Sequence, residues 1–302
     1  MRGTSWLLAV SLLWSTAAWS EEEAYRLTID VGPIVRSLAS ADPFTREPAE
    51  ALLAGLGDQA AVPLAHALET ENEPVRIGVV EALISLDGKW VAPLLVRRAS
   101  EDGSVDVRAA AISALVVRED PEGDEVVAAA LDRDEPRLYR AAVVGCPRFC
   151  GTAAQLDRLV EIAFLEPARA LAAPRGAIAR AAASPEHREV VGGALDRVAA
   201  PHLADDEVEK RVLAGILLAE VEDSRAAGAL AEALDHGVPT RLRIQAILAL
   251  GRTGEEDAVI RLGSSLDALP GAVRPVGCKA LGLLARRGVA GAEREGERHR
   301  CG

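Results

Sequence analysis

Apolar positions in this chain fall in short helical blocks, and an arginine opens each block. After Arg76 they occupy Val79, Val80, Leu83, Ile84 and Leu86, and after Arg243 they occupy Ile244, Ile247, Leu248 and Leu250. Both sets follow the i, i+3, i+4, i+7 spacing of one helix face. The same opening recurs at Arg46 (REPAEALL), Arg108 (RAAAISAL), Arg211 (RVLAGILL) and Arg274 (RPVGCKAL), with weaker copies at Arg140 and Arg175. Successive arginines stand 30–36 residues apart. A period of that size predicts a stacked array of helical repeats, which works by binding along an extended surface.

Each unit carries a second block. A break follows the arginine by eleven and twelve residues, at Gly57-Asp58, Asp87-Gly88, Glu222-Asp223 and Gly254-Glu255. Glycine there can close a helix in the left-handed conformation, and an acidic residue suits the start of the next. Second helices are predicted from Ala61, Val91, Ala226 and Ala258, with Pro63 and Pro93 tolerated in the first turn. Two helices this short cannot hide their apolar faces alone, so neighbouring units must stack.

The helix-start Pro or Asp, the Arg, the Ala-Leu closing its helix, the Gly-Asp turn and the Ala-Val-Pro opening the second helix together resemble the HEAT-like repeat family. The resemblance is to its short, phycobilisome-lyase type. It covers roughly residues 42–287, as about seven full units and one partial unit, with the best copies at 42–120 and 206–284. It implies an all-α solenoid, an α–α superhelix in which one layer of helices lines a concave side. Residues 21–41 are then an N-terminal segment with a capping helix near Val31 to Ala39, and 288–302 a polar tail.

The repeated arginines (Arg46, Arg76, Arg108, Arg140, Arg175, Arg211, Arg243 and Arg274) admit two readings. Asp42, Glu73, Asp106, Asp134 and Asp206 lie shortly before five of them. The arginines can therefore form a structural ladder, bonding acidic groups or carbonyls at the joints between units. The other reading is an anion-binding row, because guanidinium forks suit carboxylates either way.

Composition narrows the partner. The chain is 49% hydrophobic but only 3% aromatic, and its net charge is −12. That sign opposes nucleic acid and anionic membranes, both of which call for a basic stripe. Met1 to Ser20 reads as a secretory signal: Arg2, an apolar run from Trp6 to Trp14, then Ala18-Trp19-Ser20 before three glutamates. The run is shorter than a membrane span of about 20 residues. Export to the periplasm or medium is expected, with no stable membrane insertion after cleavage.

The rhythm loosens between Cys146 and Asp206. Pro147 should break the helix that follows Arg140, through either drift of the repeat or a binding feature. Cys146 and Cys150 are expected to form a local disulfide in an exported chain, with a metal pair as the rival. Cys278 falls on an apolar run and reads as a core residue, while Cys301 reads as free or intermolecular. After Leu284 the sequence is too polar and glycine-containing for a full second helix. That predicts either an uncapped edge open to a partner or to self-association, or an incomplete chain.

No catalytic constellation is expected. The chain has no GxSxG, HExxH, P-loop or GxGxxG. Its histidines (His66, His187, His202, His236 and His299) are scattered, and Glu186-His187 reverses the His-Glu pairs of HEAT-like deoxyhypusine hydroxylases. The acidic loop Glu119 to Asp124 lacks EF-hand spacing. No cofactor or metal is expected. The expected function is a protein-binding scaffold or adaptor on the second-helix layer, with His66, Arg97, Arg98, Arg197, Glu232 and Arg261 as polar candidates. A lyase- or maturation-type enzyme subunit is the alternative.

Overall fold

The computed structural model describes residues 32–40, 42–70, 72–166, 171–234 and 237–301. The signal expected at 1–20, the following segment to Val31, and His236 lie outside them. All regular structure among the described residues is helical. The chain divides into two compact units, one ending at Val126 and the other starting at Val127.

The first unit holds α1 (Gly32–Leu38), α2 (Pro43–Leu56), α3 (Ala61–Ala67), α4 (Glu73–Leu83), α5 (Val91–Glu101) and α6 (Val105–Arg118). The division falls inside α7 (Asp124–Leu131). Side-chain caps fix the helix starts. Asp42 accepts from the Phe44 N–H, Asn72 from Val75, and Ser104 from Asp106 and Val107. Pro43 and Pro74 sit in first turns, where no N–H is missed. The α4 helix packs on α6, and α5 on α6, burying Leu83, Leu95, Ile112 and Leu115. The α1 helix rests on both α2 and α4, so closely that a Cβ at Gly78 would overlap the Leu38 carbonyl. Arg46's helix is the exception to the burial pattern. On α2 only Ala49 and Leu53 are buried, while Phe44 is 87% and Leu52 59% exposed.

The second unit continues with α8 (Pro136–Val143), α9 (Cys146–Phe149), α10 (Ala153–Leu165), α11 (Ala172–Ala183) and α12 (Pro185–Ala194). Then come α13 (Val208–Leu218), α14 (Ala226–Glu232), α15 (Thr240–Leu250), α16 (Glu256–Ser265), α17 (Arg274–Arg286) and α18 (Ala292–Arg298). Two layers are plain in its later part. First helices stack α13 on α15 on α17, and second helices stack α14 on α16 on α18. At Gly251 a Cβ would stand 2.9 Å from the Ala280 Cα, so α15 and α17 meet nearly backbone to backbone.

The irregular stretch has local causes. Pro147 occupies the first turn of the extra helix α9, which absorbs residues between Arg140 and Arg175. Between Arg175 and Arg211, α12 runs into a π-helix at Leu195–Ala199 and a 3₁₀ segment at Ala200–Ala204. A π-helix takes more residues per turn than an α-helix, lengthening the repeat.

The C-terminal expectation is corrected. Residues 288–302 are not simply a polar tail, because α18 forms there and packs on α16 and α17. Its burial is small, confined to Ala292 within the helix and His299 just after it. The last unit therefore has its second helix, and α17 is not an uncapped apolar edge.

The turn eleven residues past the arginine takes positive φ at Gly57 (53°), Glu119 (53°), Glu222 (61°) and Gly254 (75°). Two of these positions force a side chain into the region glycine prefers. Glu119 is exposed, so Glu119→Gly is expected to stabilise the fold by up to about 1 kcal/mol. A urea midpoint that stays put or falls would refute this.

Candidate functional site

The arginines build a bonding pattern that ties joints to helix ends. Arg76 donates from Nε and Nη2 to both carboxylate oxygens of Asp102 at 3.0 Å, and from Nη1 to the Thr70 carbonyl at 2.8 Å. Thr70 closes the preceding repeat, and Asp102 caps the end of α5, the second helix of Arg76's own repeat. Arg108 of the next repeat donates to the Asp102 carbonyl at 2.7 Å. Arg211 copies the arrangement, with Glu232 as its fork partner and the Asp205 carbonyl at 2.6 Å. Arg140 holds Glu166 at 2.6 Å, and Arg243, itself buried, reaches the Val238 carbonyl at 3.3 Å. Arg274 bonds the His299 carbonyl at 3.3 Å and Asp267 at 3.1 Å. Arg46 differs. It pairs with Glu50 at 3.2 Å and Glu81 at 3.7 Å.

The carboxylates that receive these forks are not the ones just before the arginines. Asp42 caps α2, and Asp134 accepts from Arg158. Asp102, Glu166 and Glu232 lie 21 to 26 residues downstream. Arg118 is a further contributor, covering the Leu83, Ile84 and Leu86 carbonyls at the end of α4. Helix ends leave such carbonyls without intrahelical donors. Burial alone would raise the Asp102 carboxyl. The Arg76 bonds, the Ser104 N–H and the charges of Arg76 and Arg98 outweigh it and hold Asp102 below the usual range.

A second node centres on Glu220, whose side chain is almost fully buried. Arg252 donates to it at 3.0 Å and Arg175 lies at 3.4 Å, so one carboxylate joins two repeats. Burial pushes Glu220 up against the pull of both guanidinium groups, and burial also lowers Arg175.

The polar candidates of the second helices divide. Arg98 is buried on Glu69 and Asp102, and Glu232 is taken by Arg211, so both serve the scaffold. Arg97, Arg197 and Arg261 are exposed but paired, with Glu69 and Glu101, with Asp157, and with Asp257. His66 is exposed on α3. Within the first unit Arg97 and Arg98 meet on Glu69, and within the second Arg197, Glu232 and Arg261 each hold a different partner.

Both cysteine pairs are bonded. Cys146 and Cys150 form a disulfide with Cα atoms 4.9 Å apart, and Cys278 joins Cys301 with Cα atoms 5.1 Å apart. The second pairing corrects the reading of Cys278 as a core residue and Cys301 as free or intermolecular. The α18 helix turns the chain back so that Cys301 reaches the outward side of α17.

A cavity of about 310 Å³ opens between α8, α10 and α11, lined by Val143, Ile162 and Pro174 with Arg140 and Glu166. Its two charged residues bond each other. His202 stacks on Phe164 with ring centroids 4.2 Å apart and faces Asp205 at 3.3 Å. Among the described residues no group of three or more His, Cys, Asp or Glu is placed to hold a metal, and no helix is long and apolar enough to cross a membrane.

Residues 33–116 match the family model described as HEAT repeats. No curated protein matches the chain in sequence. Among solved structures, YibA of Escherichia coli superposes with a TM-score of 0.57 at 19% identity, covering 95% of this chain and 100% of that one. Human deoxyhypusine hydroxylase in complex with glycerol gives 0.34 at 19% identity, over 85% and 96% of the chains. The complex of CpcE and CpcF of phycocyanin lyase from Nostoc sp. gives 0.42 at 14%, over 79% and 94%. At these identities a likeness speaks to fold alone, and only the first is close enough to do so. Residues 33–116 thus match HEAT repeats, and the stacked helix layers and the YibA likeness give the chain an all-α solenoid fold.

Proposed function

We propose that this chain is an exported protein-binding scaffold, and that its docking row begins on α2. The observation that carries this reading is the stripe of Phe44, Pro48 and Leu52. These residues are spaced i, i+4, i+8 on one helix face, and all are exposed. Val62 on α3 is also 52% exposed. An apolar row of this kind on a surface helix fits the anchor spacing of helix-in-groove and solenoid recognition. The polar candidates sought on the second helices support the reading less well, because their charges are already satisfied within the chain.

Export is supported by the two disulfides, which persist in oxidising compartments, and by the signal-like pattern at 1–20. The alternative, a lyase- or maturation-type enzyme subunit, would draw support from a polar pocket between Cys146 and His202. The cavity between α8, α10 and α11 is mainly apolar. A second cavity, lined by Arg188, Glu220 and Glu222, has its carboxylates already held by Arg175, Arg252 and Arg287, which supports the alternative less well.

The test is crosslinked capture from the exported fraction. The mature chain is expected to begin at Glu21 and to retain one stoichiometric protein partner. Phe44→Glu with Leu52→Glu should abolish capture and leave the melting temperature within about a degree, since neither side chain is buried. Undiminished capture by the double variant would reject the α2 row. Full-length chain starting at Met1 in the exported fraction would reject signal cleavage.

A further inference from the structure

Although the chain is acidic overall, one cavity in its second unit gathers cationic side chains. It has a volume of about 760 Å³ and lies between the outward face of α17 and the segment that follows α18. Arg274, Lys279 and Arg286 line it from the helix, and Arg300 lines it from the segment. Among the described residues no carboxylate side chain lines it. Asp267 stands beside it, paired with Arg274 at 3.1 Å and facing His299 Nδ1 at 3.2 Å.

Three observations distinguish this cavity from a solvated helix face. Lys279, Arg286 and Arg300 form no ion pair among the described residues, whereas Arg197, Arg225, Arg261 and Arg287 of the same unit each hold a carboxylate. Gathering unpaired like charges is unfavourable unless an anion joins them. Next, Arg300 adopts a φ of 55°, a conformation that disfavours side chains other than glycine. Finally, the cavity is held in shape without a ligand. The Cys278–Cys301 disulfide and the bond from Arg274 to the His299 carbonyl fix the segment across α17. Gly282 lies between the cations on the same helix row, with only Arg286 Nη1 near where its Cβ would be, at 3.8 Å. This leaves room for a ligand against the helix.

We infer that this cavity is a binding site for a small multivalent oxyanion carrying phosphate groups. Guanidinium forks can engage pairs of phosphate oxygens, and the Lys279 ammonium supplies a point charge between them. The volume falls in the range of about 300–1,000 Å³ typical of small-ligand sites. Binding at this cavity stands or falls independently of the α2 row.

Isothermal titration of the full mature chain with tripolyphosphate, at two salt concentrations, tests the inference. One saturable site is expected, weakening as salt rises. Lys279→Ala with Arg286→Ala should reduce affinity about a hundredfold, or about tenfold for each cation removed, with an unchanged melting curve without ligand. Arg261→Ala, an exposed arginine elsewhere, should bind like the parent. Absence of saturable heat would overturn the site. So would binding that the double variant retains, or citrate binding as tightly as tripolyphosphate, which would assign the cavity to polycarboxylates instead.

Discussion

Arg76→Ala is expected to cost about 3–5 kcal/mol of stability, because it strands a buried carboxylate. The Asp102 side chain is 2% exposed, and Arg76 supplies its two-oxygen fork. The variant also removes the donor to the Thr70 carbonyl. Arg98, 3.6 Å from Asp102, remains as a partial partner and favours the lower end of that range. Arg46→Ala, which gives up only half-exposed pairings, should cost less than about 1 kcal/mol. Urea denaturation of the two variants separates the cases. Equal losses of stability would contradict the distinction between the two arginines. Impaired partner capture by Arg76→Ala at an unchanged melting temperature would overturn the structural role altogether.

The same node sets an acid limit. The Asp102 carboxyl is held below its ordinary value of 3.8 in the folded chain. Its contribution is therefore fully present above that value and is lost as pH falls through the lowered one. In Asp102→Asn this part of the acid dependence should vanish, leaving a flatter stability profile below about pH 4.

Removing the Cys278–Cys301 bond is expected to cost about 3 kcal/mol, from the loop entropy of its 23-residue separation. The effect should concentrate in α18, which buries little apolar surface of its own. Cys301→Ser should therefore raise hydrogen exchange across Ala292–Arg298 by orders of magnitude and leave α13 to α16 protected. Cys146 and Cys150, four residues apart, close a shorter loop, which the same entropy makes worth about 2 kcal/mol. Breaking that bond should lower global stability less. If Cys301→Ser matched the parent in both midpoint and exchange, α18 would be held by packing alone.

Helix positions were legible in the sequence from local apolar spacing, and the turn eleven residues past each arginine from Gly57 and Gly254. Arg76 and Arg211 could be recognised as repeated, but their partners could not. Asp102 and Glu232 are brought to them by the return of the second helix, and no residue near the arginine reports that distance. A period of acidic residues about 21 to 26 positions downstream was the available signal. The C-terminal helix was illegible for a different reason. Ala-Glu-Arg-Glu-Gly-Glu-Arg has no apolar stripe to read, and a disulfide whose pairing spacing alone does not decide helps hold it. The basic cavity was hidden because Lys279 and Arg300 lie far apart along the chain and share no motif.

The Arg76 bonds also define what can be moved. The segment from Thr70 to Asp102 contains the donor and all of its acceptors, while a cut at the helix start would divide them between two pieces. Asp102 is a shared boundary residue, since its carboxylate takes the Arg76 fork from the segment before it, while the Ser104 N–H and Arg108 of the segment after bond its carboxylate and its carbonyl. Duplication, deletion or grafting of a repeat would keep every bond only when the joint residue travels with both neighbours. The natural piece for recombination in this chain is then a joint-to-joint module, and the helix-to-helix unit suggested by the arginine spacing would splice poorly.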